Sequence, residues 1–344
     1  MRVGGRRRRL RRATLVATAL AVALGLAACS GSSGGGEASG RTTTSERPSS
    51  SAEHTTTTEP AGTAGCGKEP DVARLARGVP GDVDQTLRSG GVDRAYRLSV
   101  PPSYDPDAPA PLVLDLHGSG SNAIQQAVYS DAAHVGAERG FIVVTPDSTD
   151  GTWDLNGTGP DAEFLQALVD DIEARYCVDE DRVHAMGMSL GSWKTAITAC
   201  SSGDRYASIA LVAVEVFPGS CPPMPVIAFH GTADTTVPYG EGADPGVTVT
   251  GSNAALPGAQ ENMAGWAKSG GCDATPKEST IGTDVRLQRW TGCDPGVGVE
   301  LYTVKGGGHT WPGSAIDISD PKLTTHTVDA TELAFDWFEA HPRR

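Results

Sequence analysis

Seven apolar runs recur between residues 95 and 304: Ala95–Val100, Leu112–Leu116, Phe141–Thr145, Val183–Gly187, Ser208–Val216, Val226–His230 and Val299–Val304. Several are apolar at successive positions rather than at alternate ones, the pattern of strands in a sheet covered on both faces. Between them the period changes. Over Asp161–Tyr176, the residues Phe164, Leu165, Leu168, Val169 and Ile172 fall on one helical face. Near the C-terminus Leu333, Ala334, Trp337 and Phe338 do the same, with Asp329 and Glu332 spaced as a capping box. Strands alternating with helices predict an α/β domain with a mostly parallel central sheet and helices on both faces. No internal repeat is present, and one folded domain is expected over residues 66–344.

The first 65 residues follow neither pattern. Residues 1–28 hold seven arginines and no acid, then an apolar stretch from Ala13 to Ala28 that is short for a membrane span. The run ends Leu26-Ala27-Ala28-Cys29, so small residues precede a cysteine as in a bacterial lipobox. A lipoprotein signal peptide over 1–28 is expected, with Cys29 as the lipidated residue; the plainer alternative is an ordinary secretory signal with a nearby cysteine. A full twin-arginine motif is not evident. Residues 29–65 are dominated by Ser, Thr and Gly, including Thr55–Thr58, and supply nothing to fill a core. They read as a flexible tether.

Charge sharpens this. The whole chain, 344 residues, carries 28 basic and 42 acidic residues; without the seven leader arginines, 21 basic residues remain against 42 acidic. A surplus of acid that large argues against nucleic acid as a partner and against adhesion to an anionic membrane by charge alone. Contact with a membrane is expected only through the lipid anchor. Beyond Cys29, six cysteines remain: Cys66, Cys177, Cys200, Cys221, Cys272 and Cys293. An even number in an exported chain points to three disulfides. No CxxC pair occurs and no spacing matches a zinc site, so neither a metal nor another cofactor is expected.

The chemistry concentrates at strand ends. Gly187-Met188-Ser189-Leu190-Gly191 follows one apolar run and precedes a helical stretch. This G-x-S-x-G context is a nucleophile elbow, a tight turn that leaves a serine hydroxyl exposed above the sheet. Gly31-Ser32-Ser33-Gly34-Gly35 matches the same spacing but lies in the tether with no strand before it. A serine nucleophile needs a base, and the base an orienting acid. Two later strands lead into Gly231-Thr232-Ala233-Asp234 and into Gly306-Gly307-Gly308-His309. Asp234 and His309 thus stand in the order Ser, acid, His. For an oxyanion hole, the Leu190 N–H is one candidate donor; the other is the Ser119 N–H, or that of Gly118, on the loop His117-Gly118-Ser119-Gly120. His117 and His230, both in His-Gly contexts at strand ends, read as structural. His326 precedes a helix without the strand-then-loop context. Trp311 and Trp153 are candidate aromatic walls for an acyl group or a sugar ring, or else packing under loops.

Together, Leu116-His117-Gly118, the elbow at Ser189, His230-Gly231-Thr232-Ala233-Asp234 and Gly307-Gly308-His309-Thr310-Trp311-Pro312-Gly313 resemble secreted feruloyl esterases and poly(3-hydroxybutyrate)-depolymerase-like esterases. Arg175-Tyr176-Cys177-Val178-Asp179 is similar to the same group. The resemblance runs from about Cys66 to the C-terminus. It implies an α/β-hydrolase fold and metal-free carboxylic-ester hydrolysis through Ser189, Asp234 and His309. The group often has Asn or another small residue and then Gly-Gly after the nucleophile, where this chain has Leu190, Gly191, Ser192 and Trp193. That change keeps the backbone donor and alters the acyl pocket.

The topology implied by the resemblance puts Cys177 and Cys200 at the sheet edge away from the site, with Cys272 and Cys293 flanking a small excursion. The expected pairs are 177–200, 272–293 and 66–221. The expected partner is an ester substrate, polysaccharide- or polyester-linked. The rival classes are a peptidase, an envelope acyltransferase on the same triad and a non-catalytic hydrolase fold; an acetyl-xylan-type esterase is the nearest alternative substrate class.

Overall fold

The apolar runs form the middle of one ten-stranded sheet, ordered β1-β2-β4-β3-β5-β6-β7-β10-β9-β8 among the described residues. The structure, a computed structural model, describes residues 62–72, 83–240, 257–317 and 320–343. The expected leader 1–28, the expected lipidation site Cys29 and most of the expected tether lie outside those residues.

Six strands are parallel: β3 (Ala110–Leu116), β4 (Ile142–Pro146), β5 (Val178–Met188), β6 (Ser208–Val212), β7 (Val226–Gly231) and β10 (Val299–Val304). Each edge is finished antiparallel. β1 (Val83–Ser89) and β2 (Val92–Ser99) form a hairpin, and β2 pairs antiparallel with β4. On the far side, β8 (Lys277–Ile281) and β9 (Val285–Trp290) form another, and β9 pairs antiparallel with β10.

Side-chain alternation divides the core into two layers. Leu112, Leu114 and Leu116 of β3 face α3 (Pro160–Arg175), α4 (Leu190–Ser201) and α5 (Ala259–Ser269), joining Phe164, Leu168, Ala196, Met263 and Trp266 in one cluster. Val113, with Met186 of β5 and Phe229 of β7, faces α1 (Ala123–Ser130), α2 (Ala132–Arg139) and α6 (Ala330–Ala340), joining Tyr129, Val135 and Phe335 in the other. Both faces are therefore covered, and every residue of β3, β4, β6, β7 and β10 is buried. Their alternation is between two apolar layers, which is why their sequences read as mostly apolar runs rather than alternating ones.

The helix caps follow the expected chemistry with one change. Asp329 caps α6 by accepting from the Thr331 and Glu332 amides. Glu332 pairs with Arg139 of α2, tying two helices on the same face together.

One run ends earlier than its hydrophobicity predicts. β6 stops at Val212, and Ala213 adopts a positive φ of 63°. Val214 and Val216 then pack with Val237 in a separate small cluster at the strand ends. The run Ser208–Val216 is thus a strand followed by a buried turn.

Three disulfides are present among the described residues: Cys66–Cys177, Cys200–Cys221 and Cys272–Cys293. The expected 272–293 pair forms, but the expected 177–200 and 66–221 pairs do not. Thr63 Oγ donates to the Tyr176 carbonyl and accepts from the Val178 amide, so residues 62–66 are laced along the start of β5 beside Cys177. Cys200 ends α4, in the helical layer, and meets the loop carrying Cys221. Sharing one end of the sheet does not bring a strand residue and a helix residue within the short Cα separation that a disulfide requires.

Candidate active site

Ser189 is held in a strained conformation between β5 and α4. Its φ is 57° and ψ is −121°, outside the regions that side-chain-bearing residues normally occupy. The Ser189 amide donates to the Val212 carbonyl of neighbouring β6, and its carbonyl accepts from the Trp193 amide, so both backbone polar groups are used. The turn is possible because Gly191 passes against another backbone: a Cβ there would lie 2.2 Å from the Leu116 carbonyl oxygen. That contact brings the elbow and the loop after β3 together.

The base and acid candidates come from the neighbouring parallel strands β7 and β10. His309 Nδ1–H donates to Asp234 Oδ2 at 2.7 Å. Asp234 Oδ1 accepts the Thr236 and Val237 amides at 2.8 and 2.9 Å. The Asp234 side chain is fully buried, whereas that of His309 is 17% exposed. Burial alone would raise the Asp234 pKa, but hydrogen bonds from His230 and His309, with the attraction of His309, hold it well below the usual carboxylate range. The acid is thus an anion whose free oxygen is aimed at the imidazole.

Ser189 and His309 face the same cavity, of about 490 Å³, which Ser119 also lines. Among the described residues no hydrogen bond joins the Ser189 hydroxyl to His309; such contacts often tighten only when substrate is bound. Leu190 opens α4, so its N–H has no acceptor within the helix. Among the described residues, neither the Ser119 nor the Leu190 amide donates to a loop acceptor.

His117 and Trp153 build the loop that carries Ser119. His117 is fully buried. Its Nδ1–H donates to the Gly118 carbonyl at 2.7 Å, and its Nε2 accepts the Ser148 amide at 3.1 Å. One nitrogen donates and the other accepts, so this is a neutral imidazole; burial lowers its pKa, against the opposing bond to Gly118. The Trp153 indole N–H donates to the His117 carbonyl at 2.8 Å.

Trp153 is therefore a brace, buried to 3% exposure, and does not line the cavity beside Ser189. Trp311 is corrected in the same way. Its indole N–H donates to Thr331 Oγ, its amide donates to the Tyr129 hydroxyl, and it is 1% exposed. It locks the loop after His309 to α1 and borders only an adjoining cavity of about 430 Å³. Both indole N–H groups already have internal acceptors, so packing won over an aromatic platform at each position. His326 is exposed and lies outside the cavity lining.

The wall opposite the elbow comes from α1. Ile124 and Val128 are 56% and 57% exposed, and with Tyr129 and Ile316 they line both cavities. Large apolar side chains left in water beside Ser189 mark a surface made to be covered. Asp115 of β3 anchors this helix, accepting from Gln126 Nε2 at 2.7 Å and from Ser130 Oγ at 2.6 Å. Complete burial raises its pKa to about 7, against the lowering effect of those two bonds.

Two residues at the site were not anticipated as a pair. His230 and Glu215 lie behind Asp234, with His230 Nδ1 at 2.8 Å from Glu215 Oε2. The signal was a single acid inside the otherwise apolar stretch Ala207–Phe217. A carboxylate buried in such a run needs a partner.

No family model matches the chain. Among curated proteins, feruloyl esterase B of Piromyces equi is 31% identical over 231 residues, 63% of this chain; the alignment spans only 42% of that enzyme's length. A putative esterase, NocK, of Nocardia uniformis subsp. tsuyamanensis is 32% identical over 276 residues, covering 68% of this chain and 77% of the relative. Among solved structures, acetyl xylan esterase from Aspergillus awamori superposes with a TM-score of 0.53 over 75% of this chain and 99% of that one, at 17% identity, a likeness of fold. With its parallel sheet and its coverage of an esterase relative, the chain belongs to the feruloyl-esterase-like family of α/β-hydrolases, a family of carboxylic ester hydrolases.

Proposed function

We propose that this chain is an exported serine esterase that cleaves carboxylic esters through an acyl-enzyme on Ser189. The observation that carries the reading is the 2.7 Å bond between His309 and a buried Asp234, with His309 and the strained Ser189 facing one apolar cavity. In this mechanism His309 takes the Ser189 proton as the hydroxyl attacks the ester carbonyl, and Asp234 stabilises the imidazolium that forms. The Leu190 and Ser119 amides hold the oxyanion. His309 then protonates the departing alcohol. Water, activated by the same imidazole, releases the acid and restores Ser189.

The cavity favours an apolar acyl group. Ile124, Val128, Tyr129 and Ile316 offer no charge to a substrate, and about 490 Å³ is ample for a substituted phenylpropenoyl group. Esters of the feruloyl type are therefore the proposed substrates, an inference supported by the family relatives. The lipid anchor at Cys29 belongs to this proposal as well; three disulfides suit an oxidising, exported setting.

The test is initial rates on methyl ferulate, p-nitrophenyl acetate and a hydroxybutyrate oligomer, for the wild type and Ser189→Ala. The expected result is a preference for ferulate and a loss of about 10⁵- to 10⁶-fold in kcat for the variant, with its fold intact. Near-normal turnover in Ser189→Ala removes the serine mechanism. Acetate turnover without ferulate turnover keeps the esterase and removes the aromatic substrate. Transfer of the acyl group to added sugar in preference to water makes the enzyme an acyltransferase.

A further inference from the structure

His230 ends β7 with its ring enclosed, and each ring nitrogen faces an oxygen. Nδ1 lies 2.8 Å from Glu215 Oε2, and Nε2 lies 2.8 Å from the Val237 carbonyl. Nε2 is also 3.4 Å from Asp234 Oδ2, the oxygen that accepts from His309. A carbonyl oxygen only accepts, so Nε2 must carry a proton. Nδ1 then faces a carboxylate, and the bond between them requires one further proton. The side chains of His230 and Glu215 are 1% and 3% exposed, so each is turned to the other rather than to bulk solvent.

We propose that Glu215 and His230 form a buried ion pair whose imidazolium end acts as a positioning residue behind Asp234, keeping Asp234 ionised and His309 neutral to lower pH. The proposal rests on the Ser189–His309–Asp234 reading and deepens it. Charges alternate along the line: Glu215 negative, His230 positive, Asp234 negative, then His309 at the cavity. The cationic end of the pair is the end next to Asp234. It offsets part of the pull that Asp234 exerts on a proton at His309, so the base stays free in more acidic solution than an isolated acid–imidazole couple allows. The same N–H fixes the Val237 carbonyl, and the Val237 amide is one of the two that hold Asp234 Oδ1. Charge and geometry thus act on one carboxylate.

Another polar neighbour of His230 is Tyr239, whose ring stands edge-on at 5.5 Å. Its hydroxyl is shared with Thr303 Oγ of β10 and accepts from Arg286 of β9. Val214 and Val216, which flank Glu215, pack with Val237 in one apolar cluster. Burial disfavours a charged His230, but the Glu215 carboxylate, followed by the bonds to Asp234 and Glu215, overcomes it and raises the pKa to about 10.

The test compares the pH dependence of kcat/KM for the full chain, His230→Gln and the double variant Glu215→Gln/His230→Gln. The glutamine amide that replaces the imidazole retains an N–H for the Val237 carbonyl, so these changes remove charge and keep a donor. The acid limb should move to higher pH by about one unit in the double variant, and further in His230→Gln, where Glu215 has lost its cation. Below both limbs this reads as about tenfold less activity than wild type, recovering above them. The double variant leaves two neutral amides able to bond each other, so it keeps the test open if the single variant fails to fold. A folded, active double variant whose limb coincides with wild type overturns the ion pair. Retained activity in Ser189→Ala instead overturns the triad reading beneath it, and the two failures are separately visible.

Discussion

Asp234→Asn is the sharpest probe of the proposed triad, because the structure dictates which way the new amide must point. Oδ1 receives two backbone N–H groups, at 2.8 and 2.9 Å. An NH₂ placed there would face two donors, so the amide oxygen must take that position. The NH₂ is then forced into the place of Oδ2, 2.7 Å from His309 Nδ1 and 3.4 Å from His230 Nε2. His309 Nδ1 must now accept, which moves the ring proton to Nε2, the nitrogen meant to take the serine proton. Holding the imidazole in this wrong tautomer costs roughly 10⁴ in kcat, about 5.5 kcal/mol of transition-state stabilisation. The donor now facing His230 should cost a further ~1–3 kcal/mol of stability. The assay is steady-state hydrolysis of an aryl ester, with the rate of fluorophosphonate labelling of Ser189 and a urea unfolding curve on the same preparation. The expected outcome is a collapse of kcat with a KM within a few-fold of wild type, and labelling slowed in parallel. A folded Asp234→Asn enzyme working within about tenfold of wild type would refute the argument, since the one rotation that returns an acceptor to His309 sets the NH₂ against the Thr236 and Val237 amides.

Two further outcomes concern stability. Asp115 has its pKa raised to about 7 in the folded state, so its contribution is most favourable below the unfolded value of 3.8 and is lost as pH rises through 7. Asp115→Asn keeps an acceptor for Gln126 and turns an NH₂ toward Ser130 Oγ, whose hydroxyl can donate to the Gln126 carbonyl instead; it should flatten this loss, worth on the order of a few kcal/mol, and parallel pH profiles of the urea midpoint for the two proteins would contradict it. Replacing Cys66 and Cys177 by Ser opens a link across 111 residues and should cost about 5 kcal/mol, against about 3 for Cys272 and Cys293, 21 residues apart. Urea unfolding that ranks the two losses in reverse would show that chain entropy is not what these links supply.

The parallel strands were legible because their environment is uniform. A strand such as β3, buried at every position, is built almost wholly from apolar residues, and its one charge, Asp115, is buried against Gln126 and Ser130. β1, β8 and β9 escaped detection for the opposite reason, although β2 was legible as the run Ala95–Val100. β1 alternates between half-buried and exposed positions, and β8 is Lys-Glu-Ser-Thr-Ile with its first four residues exposed. Such edges hide little apolar surface, and their charges discourage pairing with another chain. Ser189, Asp234 and His309 were legible as strand-end residues in a fixed order, and the structure places the acid against the imidazole. What order could not convey is direction. Trp311 lies two residues beyond His309 yet turns into the core to bond Thr331. Glu215 follows β6 while His230 lies in β7, and only the fold makes them neighbours. The disulfides failed on the same ground: an end of the sheet is shared by strands and helices, but a layer is not.

The division of labour in the site follows from which strands are adjacent. β7 and β10 pair in register, His230 opposite Thr303 and Gly231 opposite Val304. Their loops then leave the sheet side by side. The Thr232 amide donates to Val304 and the Ala233 amide to Gly307. A Cβ on Gly231 would lie 2.3 Å from the Gly307 carbonyl oxygen, so the two loops are in backbone contact before any side chain is considered. The Asp234–His309 distance is therefore a property of the sheet. Ser189 arrives from β5, beyond β6, and is fixed instead by its own strained turn and its bond to Val212. The apolar wall arrives from neither: α1 follows β3, on the other side of β5, and is tied down by Asp115 and by the Tyr129–Trp311 bond. On the proposed mechanism, Asp234 and His309 hang on paired strand ends, whereas Ile124 and Val128 hang on α1, which the Tyr129–Trp311 bond joins to the loop after His309. Side chains such as Ile124 and Val128 point into the cavity without bearing on the strands that hold Asp234 and His309. On this reading, acyl selectivity can change at Ile124 and Val128 while the proposed charge line from Glu215 to His309 stays as it is.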